Sequence, residues 1–302
     1  MHGILNIHKE KGYTSHDVVA VVRRILHTKK VGHTGTLDPD ATGVLPICVG
    51  KATKLSDLIM DGKKTYVTTV FLGKTTTTED ASGEVLEEKI VDFDEEKIRE
   101  VVQTFIGEIE QIPPMYSAIK VNGKKLYELA REGVEIERKK RKITIHGIEI
   151  LEFLPPNQFV MKVDCSKGTY IRTLCADIGK ALGFGAYMAT LERTATGTFS
   201  IDHAVTLGEL ENLVEGDKLD EVLLSMETMF SHLSKVVILE KFHKLLCNGA
   251  KLYSDFFSEV VGELSQGEMV TVFDYEGNFI GLYHVSVSEG TVSVKPFKML
   301  VV

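Results

Sequence analysis

Hydrophobic residues recur at helical spacing in several parts of the chain. Between residues 15 and 26 they fall three or four positions apart behind Ser15, which predicts an amphipathic helix capped by that serine. Arg23 and Arg24 lie on or beside the polar face of this helix. The same spacing predicts helices over residues 95–105, 170–182, 210–234 and 240–246.

Strand patterns are formed by β-branched and aromatic residues. Residues 66–72 (Y-V-T-T-V-F-L) predict a strand, and residues 143–153 and 159–165 predict an antiparallel pair joined by Pro155-Pro156-Asn157. Residues 31–50, rich in Gly, Thr, Asp and Pro, predict an ordered loop. Because strands and helices do not alternate regularly, we expect an α+β fold built on a mixed, mainly antiparallel sheet.

The last part of the chain is rich in short strand patterns. Such segments begin at Met269, Ile280 and Thr291, and a D-Y-E-G-N turn separates the first two. We therefore predict a small β-rich domain over residues 235–302, behind a larger domain over residues 1–234.

Composition excludes several classes of protein. The chain has 302 residues, of which 43% are hydrophobic, and no apolar run approaches the ~20 residues of a membrane helix. The first residues do not resemble a secretory signal, so we expect a cytoplasmic protein without membrane association. The four cysteines form no C-x-x-C pair, which favours reduced thiols over a zinc site or disulfides.

Net charge is −8, which at first argues against a nucleic-acid partner. Residues 201–302, however, contain 7 basic and 16 acidic residues, whereas the rest of the chain contains 28 and 27. That near-neutral part can present a basic face. Residues 138–142 are five consecutive cations, and together with residues 115–125 they predict a basic flap over about 115–145 that covers a phosphate backbone. The alternative is a solvated surface loop.

The segment richest in candidate chemistry is residues 32–46, G-H-T-G-T-L-D-P-D-A-T-G-V-L-P. Its glycines permit unusual backbone angles and its prolines stiffen the loop, so it can present Asp38 rigidly to a substrate. The alternative is a structural turn in which Asp38 caps a backbone amide. The segment lacks the P-loop and G-x-G-x-x-G patterns and does not indicate ATP or NAD.

A second candidate segment is residues 165–174, C-S-K-G-T-Y-I-R-T-L, which leads from a strand through a glycine turn into a helix. Arg172 lies in the first turn of that helix. An arginine there can pair with a loop carboxylate and hold it ionised. The alternative is a surface arginine without a partner.

Taken together, these segments resemble one family. Residues 32–46, Lys64-Thr65-Tyr66, the M-Y-S-A-I-K-V-N-G-K stretch and residues 165–174 stand in the order and spacing of the TruB-type bacterial tRNA pseudouridine-55 synthases. The resemblance runs from about Gly3 to Phe199, and more weakly to the end. It implies the pseudouridine synthase fold, with a PUA-like RNA-binding domain at the C-terminus.

The resemblance also implies residue roles. Asp38 would be the catalytic aspartate, Tyr66 would stack on the target base and assist proton transfer, and Arg172 would pair with Asp38 and position it. Lys120, Lys124 and Lys125, which we infer from charge alone, would hold phosphates of the tRNA T arm. The other implied contacts are His33 with RNA near the flipped nucleotide, Leu191 in the pocket wall and Lys9 beneath the loop.

The implied reaction converts uridine to pseudouridine at position 55 in the T loop of tRNA. Uracil is detached from C1′ of its ribose, turned and rejoined through C5, after the base has been flipped out at a cost of a few kcal/mol. The resemblance implies no cofactor, no metal, no required protein partner and a monomer. Attack of Asp38 on C1′ and removal of a sugar proton both remain open as routes.

The chain departs from the family pattern at two places. Lys9-Glu10-Lys11-Gly12 lacks the proline of the family's K-P-x-G, which loosens that turn, and Glu192 replaces an arginine of L-R-R-T. Asp40 stands at a variable place and is assigned a structural role. Two other functions are considered: a tRNA-binding and refolding chaperone with incidental catalysis, and a guide-RNA-dependent synthase, against which the length and the C-terminal composition argue.

Overall fold

The computed structural model describes residues 1–117, 119–121, 123–134 and 136–300, and of Lys120, Lys125 and Arg131 it describes the backbone alone. The helices in these ranges are α1 (Ser15–Ile25), α2 (Ser56–Met60), α3 (Glu95–Gln103), α4 (Leu126–Arg131), α5 (Ile171–Leu182), α6 (Leu207–Glu215), α7 (Met226–Met229) and α8 (His243–Cys247). Short 3-10 turns cover Gly50–Leu55, Ile201–His203, Leu219–Glu221, Glu240–Phe242 and Ser254–Phe256.

The strands are short to medium in length, and most alternate with turns rather than helices. In chain order they are β1 (Gly3–Lys9), β2 (Val31–His33), β3 (Thr42–Val49), β4 (Lys64–Leu72), β5 (Lys74–Thr76), β6 (Val85–Glu88), β7 (Gly107–Gln111), β8 (Lys120–Val121), β9 (Lys124–Lys125), β10 (Arg141–Leu154), β11 (Gln158–Cys165), β12 (Ala186–Thr196), β13 (Phe199–Ser200), β14 (Leu223–Leu224), β15 (Lys235–Ile238), β16 (Leu252–Tyr253), β17 (Phe257–Val261), β18 (Met269–Phe273), β19 (Phe279–Ser288) and β20 (Thr291–Met299).

Ten of the described strands form one large sheet. Its order is β14-β1-β3-β12-β4-β11-β10-β7, with β2 beside β3 and β13 beside β12, and its neighbours are antiparallel except for β3 and β12. The strands from β15 onward form a second sheet in the order β16-β20-β19-β18-β15-β17. The predicted α+β class with a mainly antiparallel sheet is therefore confirmed.

Strand β3 is buried on both faces. Leu45 and Ile47 lie in the main core, with residues of α1, α3 and α5, whereas Val44 and Cys48 lie in a second cluster. That second cluster also contains Leu282 and Leu300, so the two sheets share apolar packing behind β3. The strand that follows the Asp38 loop is thus held from both sides.

Several predicted elements differ from the structure. Residues 31–50 are not a loop throughout but contain β2 and β3, because a strand buried on both faces has no alternating pattern to reveal it. Thr14, rather than Ser15, caps α1 in a capping box with Asp17. The range 210–234 is only partly helical, since α6 ends at Glu215.

The two sheets separate at about Lys235, in agreement with the position of the predicted boundary, but the two-domain division itself stays a prediction. Among the described helices, none is long and apolar enough to cross a lipid bilayer.

Candidate active site

The Asp38 loop is tied to the elements on either side of it. Within the loop, the Ala41 amide donates to the Asp38 carbonyl at 3.1 Å, closing a tight turn. Ser15 at the start of α1 accepts a hydrogen bond from the Leu37 amide at 2.9 Å, and the Thr34 amide donates to the Pro46 carbonyl at 3.1 Å. These bonds satisfy loop backbone groups and hold the carboxylate in one place.

Lys9 lies beneath this loop and is fully buried. Its Nζ donates to the carbonyls of Pro39 at 3.0 Å and Glu10 at 3.1 Å. The Gly12 amide also donates to the Pro39 carbonyl at 2.9 Å, with Gly12 at φ 91°, a value that favours glycine. The turn at residues 9–12, which lacks the proline of the family pattern, is therefore held by Gly12 and by hydrogen bonds to the Pro39 carbonyl.

Burial lowers the pKa of Lys9 from 10.5 to about 8, and the charges of Asp38 and Asp40 oppose that change. A lysine whose pKa is lower in the folded state destabilises the fold below about pH 8, and this cost is relieved as pH rises toward 10.5. We therefore expect the wild-type protein to gain about 1 kcal/mol of unfolding free energy relative to Lys9→Met between pH 7 and pH 9.

Urea denaturation of both proteins at the two pH values measures this difference. The matched control is Lys29→Met, because Lys29 is exposed. The difference in unfolding free energy between wild type and Lys29→Met should not change between pH 7 and pH 9. A constant difference between wild type and Lys9→Met across the range would contradict the lowered pKa.

Arg172 joins two carboxylates. Its Nε lies 3.2 Å from Asp38 Oδ2, and its Nη1 lies 3.4 Å from Asp80 Oδ2. The guanidinium also donates to the carbonyls of Thr78 at 3.3 Å and Tyr116 at 2.8 Å. The Arg172 side chain is 7% exposed, and these contacts hold it in one orientation toward Asp38.

The start of α5 positions Arg172. Tyr170 occupies the N-cap without a side-chain cap, and buried Gln111 from β7 bonds to its backbone. The Gln111 amide oxygen accepts from the Tyr170 amide at 2.8 Å, and its nitrogen donates to the Tyr170 carbonyl at 3.0 Å. The first turn, which carries Arg172, is therefore fixed to the large sheet.

Asp80 is held from the other side. Its Oδ1 accepts hydrogen bonds from Thr78 Oγ1 at 2.6 Å, the Ser82 amide at 3.0 Å and Ser82 Oγ at 2.6 Å. Asp80 is therefore a fixed negative charge that Arg172 shares with Asp38.

The Asp38 side chain is 41% exposed, and its carboxylate faces Arg172 at the start of α5. Partial burial raises the pKa of Asp38, the positive charge of Arg172 opposes that rise, and the negative charge of Asp80 adds to it. The carboxylate is thus reachable by a substrate, while the positive charges of Arg172 and, to a smaller extent, Lys9 favour its ionised form.

Tyr66 lies on β4 and is 7% exposed. Its partner across the sheet is Arg193 on β12. Burial raises the pKa of the Tyr66 phenol, and the positive charge of Arg193 opposes that rise. Tyr66 therefore stays protonated at neutral pH.

His33 and Leu191 line other parts of this region. The Gly35 amide donates to His33 Nδ1 at 3.3 Å, and the His16 ring packs edge-on at 5.1 Å between centroids. Burial, followed by the charges of His16 and Arg193, lowers the pKa of His33. Leu191 is half-buried on β12 beside the main core.

The positions of the predicted phosphate-binding lysines support that role less than the position of Asp38 supports its role. Lys124 is exposed and pairs with Glu132 at 3.1 Å. The side chains of Lys120 and Lys125 lie outside the described part of the chain. In the run 138–142, Lys140 and Lys142 pair with Glu110 and Glu108 of β7, so part of that run is neutralised along a sheet edge.

Glu192, which replaces an arginine of the family pattern, is partly exposed. Its Oε1 lies 3.5 Å from Thr42 Oγ1 and 3.7 Å from His8 Nε2. It therefore faces the strands behind the loop rather than the Asp38–Arg172 pair.

The site contains two charged residues that were not singled out from the sequence, Asp80 and Arg193. Asp80 lies in T-T-T-E-D-A-S-G at residues 76–83, in the turn between β5 and β6. Arg193 follows Glu192, in the stretch where this chain departs from the family's L-R-R-T. Its role depends on the pairing of β12 with β4, which the local pattern does not reveal.

Comparison with protein families gives matches over most of the chain. Residues 23–171 match the family model described as TruB family pseudouridylate synthase, N-terminal domain. Residues 172–231 match that described as tRNA pseudouridylate synthase B C-terminal domain.

Similar proteins carry one name. The tRNA pseudouridine synthase B of Alkaliphilus oremlandii is 52% identical over 281 residues, covering 93% of this chain and 92% of that protein. The protein of the same name from Bacillus subtilis is 45% identical over 306 residues, covering 99% of this chain and 98% of that protein.

Solved structures with the same fold include a chain from a Cbf5-Nop10-Gar1 complex, with a TM-score of 0.75 and 30% identity. That alignment covers 99% of this chain and 84% of the other. A chain from an H/ACA RNP bound to a substrate RNA containing 2'-deoxyuridine has a TM-score of 0.73 and 27% identity, with coverage of 99% and 85%. The pseudouridine synthase fold is confirmed.

Proposed function

Because the chain belongs to the TruB family of pseudouridylate synthases, we propose that it converts uridine to pseudouridine at position 55 in the T loop of tRNA. The observation that supports this most strongly is the half-exposed Asp38 carboxylate held by buried Arg172. One accessible carboxylate beside an aromatic residue suits a reaction in which the detached base must recombine rather than be replaced by water.

In this proposal Asp38 acts at the sugar, either on C1′ or on a neighbouring proton. Arg172 keeps the carboxylate ionised and aimed, and Asp80 fixes Arg172 in turn. Tyr66 supplies a face for the flipped base, and His33 contacts the RNA near the space that this base leaves. Leu191 closes the pocket wall, while Lys9 supports the loop through Pro39.

Basic residues of the flap hold the T-arm phosphates in the same proposal, and residues 235–302 form a PUA-like RNA-binding domain. The carbonyl of Tyr116 accepts a hydrogen bond from Arg172, which connects the start of the flap to the proposed catalytic pair.

The proposal places the protein in the cytoplasm as a monomer that acts without a protein partner. Light scattering of the purified chain with and without tRNA tests the monomeric state.

The test of function is release of tritium from tRNA labelled at C5 of uridine, since C5 loses its hydrogen when the new bond forms. Purified protein, without other proteins, should release about one equivalent per tRNA, and none when the position-55 uridine is replaced by cytidine. Release that persists after this replacement would contradict the site, and release only with added guide RNA would favour the guide-dependent reading.

The chaperone alternative is not favoured by the names of the relatives, which are those of synthases. If the protein binds tRNA and accelerates its refolding without any tritium release, that alternative replaces the synthase.

A further inference from the structure

Arg193 is a buried cation at the centre of the large sheet. It lies opposite Tyr66 of β4 on one side and opposite Gly43 of β3 on the other. Its side chain is 1% exposed, and it donates from Nε to the Val44 carbonyl at 2.7 Å and from Nη2 to the Gly35 carbonyl at 3.4 Å. One side chain thus contacts both ends of the Asp38 loop and reaches Tyr66.

The partners of Arg193 are neutral. Among the described residues, no carboxylate oxygen lies within 4.0 Å of its guanidinium, whereas Arg172 pairs with both Asp38 and Asp80. Buried charges are normally paired, and a guanidinium cannot lose its proton to escape the cost of burial as a lysine can. The fold therefore keeps an uncompensated positive charge beside Tyr66.

The reaction supplies a negative charge for it. When the bond between C1′ and N1 of uridine breaks, the electron pair stays on N1, and the detached uracil is an anion whose charge spreads over its carbonyl oxygens. The positive charge left on the sugar is met by Asp38 or by loss of a sugar proton. A cation fixed beforehand near the base stabilises such an anion without rearranging.

We propose that Arg193 is a positioning residue for this bond cleavage: its fixed charge polarises the Tyr66 hydroxyl, which then donates a stronger hydrogen bond to the uracil anion. This inference rests on the proposed function. The influence of Arg193 on the pKa of Tyr66 is consistent with it, because a phenol made more acidic is a better donor. Arg193 also aligns the loop with β4 through the Val44 and Gly35 carbonyls.

A change of leaving group tests the charge effect. Fluorine at C5 withdraws electrons and stabilises the uracil anion by itself, so a tRNA with 5-fluorouridine at the target position depends less on the protein for this purpose. With enzyme in saturating excess, the rate of cleavage of the original nucleoside is measured for uridine and 5-fluorouridine tRNA. We expect Arg193→Gln to lower the rate by about 100-fold for uridine and by about tenfold for 5-fluorouridine.

Two further variants separate this role from a structural one. Arg193→Lys retains the charge, so its cleavage rates should fall less than those of Arg193→Gln. The fall should again be larger for uridine tRNA than for 5-fluorouridine tRNA. This variant replaces Arg193→Gln if Arg193→Gln does not fold. In a Tyr66→Phe background the hydroxyl is absent, so Arg193→Gln should lower the rate by no more than about threefold. Thermal unfolding and tRNA affinity of each variant accompany the rates.

The outcomes are distinguishable. If wild type cleaves neither tRNA, the proposed function fails and this inference fails with it. If wild type is active but Arg193→Gln lowers both rates by the same factor, or lowers them equally with and without the Tyr66 hydroxyl, Arg193 is only structural and the inference alone is overturned.

Discussion

Asp38→Asn is expected to lower the single-turnover rate of pseudouridine formation by about 10⁴-fold or more, while the dissociation constant for tRNA changes by less than about threefold. Asparagine preserves the shape of the side chain and its polar contact with Arg172, but it has no charge with which to attack C1′ or remove a proton. Because asparagine keeps the size of the side chain and its contact with Arg172, the fold should be retained.

Quench-flow sampling of tritium release with enzyme in excess gives the rate, and filter binding gives the affinity. Asp40→Asn is the matched control, since Asp40 lies two residues further on in the same turn and is exposed. We expect Asp40→Asn to retain activity within a few-fold. If it lost as much as Asp38→Asn, the two carboxylates would have been assigned the wrong way round.

Arg172→Met is expected to lower the rate by about 10³-fold and the free energy of unfolding by about 3 kcal/mol. The substitution leaves Asp38 and Asp80 without their shared cation and the Thr78 and Tyr116 carbonyls without a donor. Arg172 holds the pKa of Asp38 down against the effect of burial, so its removal raises that pKa further.

The sign of the pH effect follows. In the proposed function catalysis uses the ionised carboxylate, so activity is expected to rise with pH through the pKa of Asp38, and in Arg172→Met this rise should occur at higher pH than in wild type. Asp80 raises the pKa of Asp38, so adding Asp80→Asn to Arg172→Met should move the rise back toward lower pH. Rate–pH profiles of the three proteins measure both shifts, and an unchanged profile in Arg172→Met would contradict electrostatic control by this residue.

The sequence predicted the parts of the site that lie in local patterns. Asp38 lies in a glycine- and proline-rich turn and Arg172 in the first turn of a helix, and both segments have recognisable motifs. The structure brings these two residues into contact, although they are 134 positions apart in the sequence. The residue assignments themselves remain predictions until the substitutions are measured.

The residues that were missed depend on contacts between segments that are far apart in the sequence. Asp80 reaches Arg172 from the hairpin that follows β4, and Arg193 reaches Tyr66 only because β12 pairs with β4. Neither contact leaves a periodic signal near the residue concerned. For β3 the reason is different: both of its faces are buried, so its apolar residues run on without the alternation that marks a half-buried strand.

The apolar contact between the two sheets has a practical consequence. Val44 and Cys48, on the back of the strand that follows Asp38, share a cluster with Leu282 of the C-terminal sheet and with Leu300, which follows its last strand. A chain cut before Lys235 would leave that surface in water, and its exposure favours aggregation. The C-terminal sheet is therefore a structural support for the strand that follows the Asp38 loop as well as a candidate RNA-binding surface, and a shortened protein would be an unsuitable minimal enzyme for engineering.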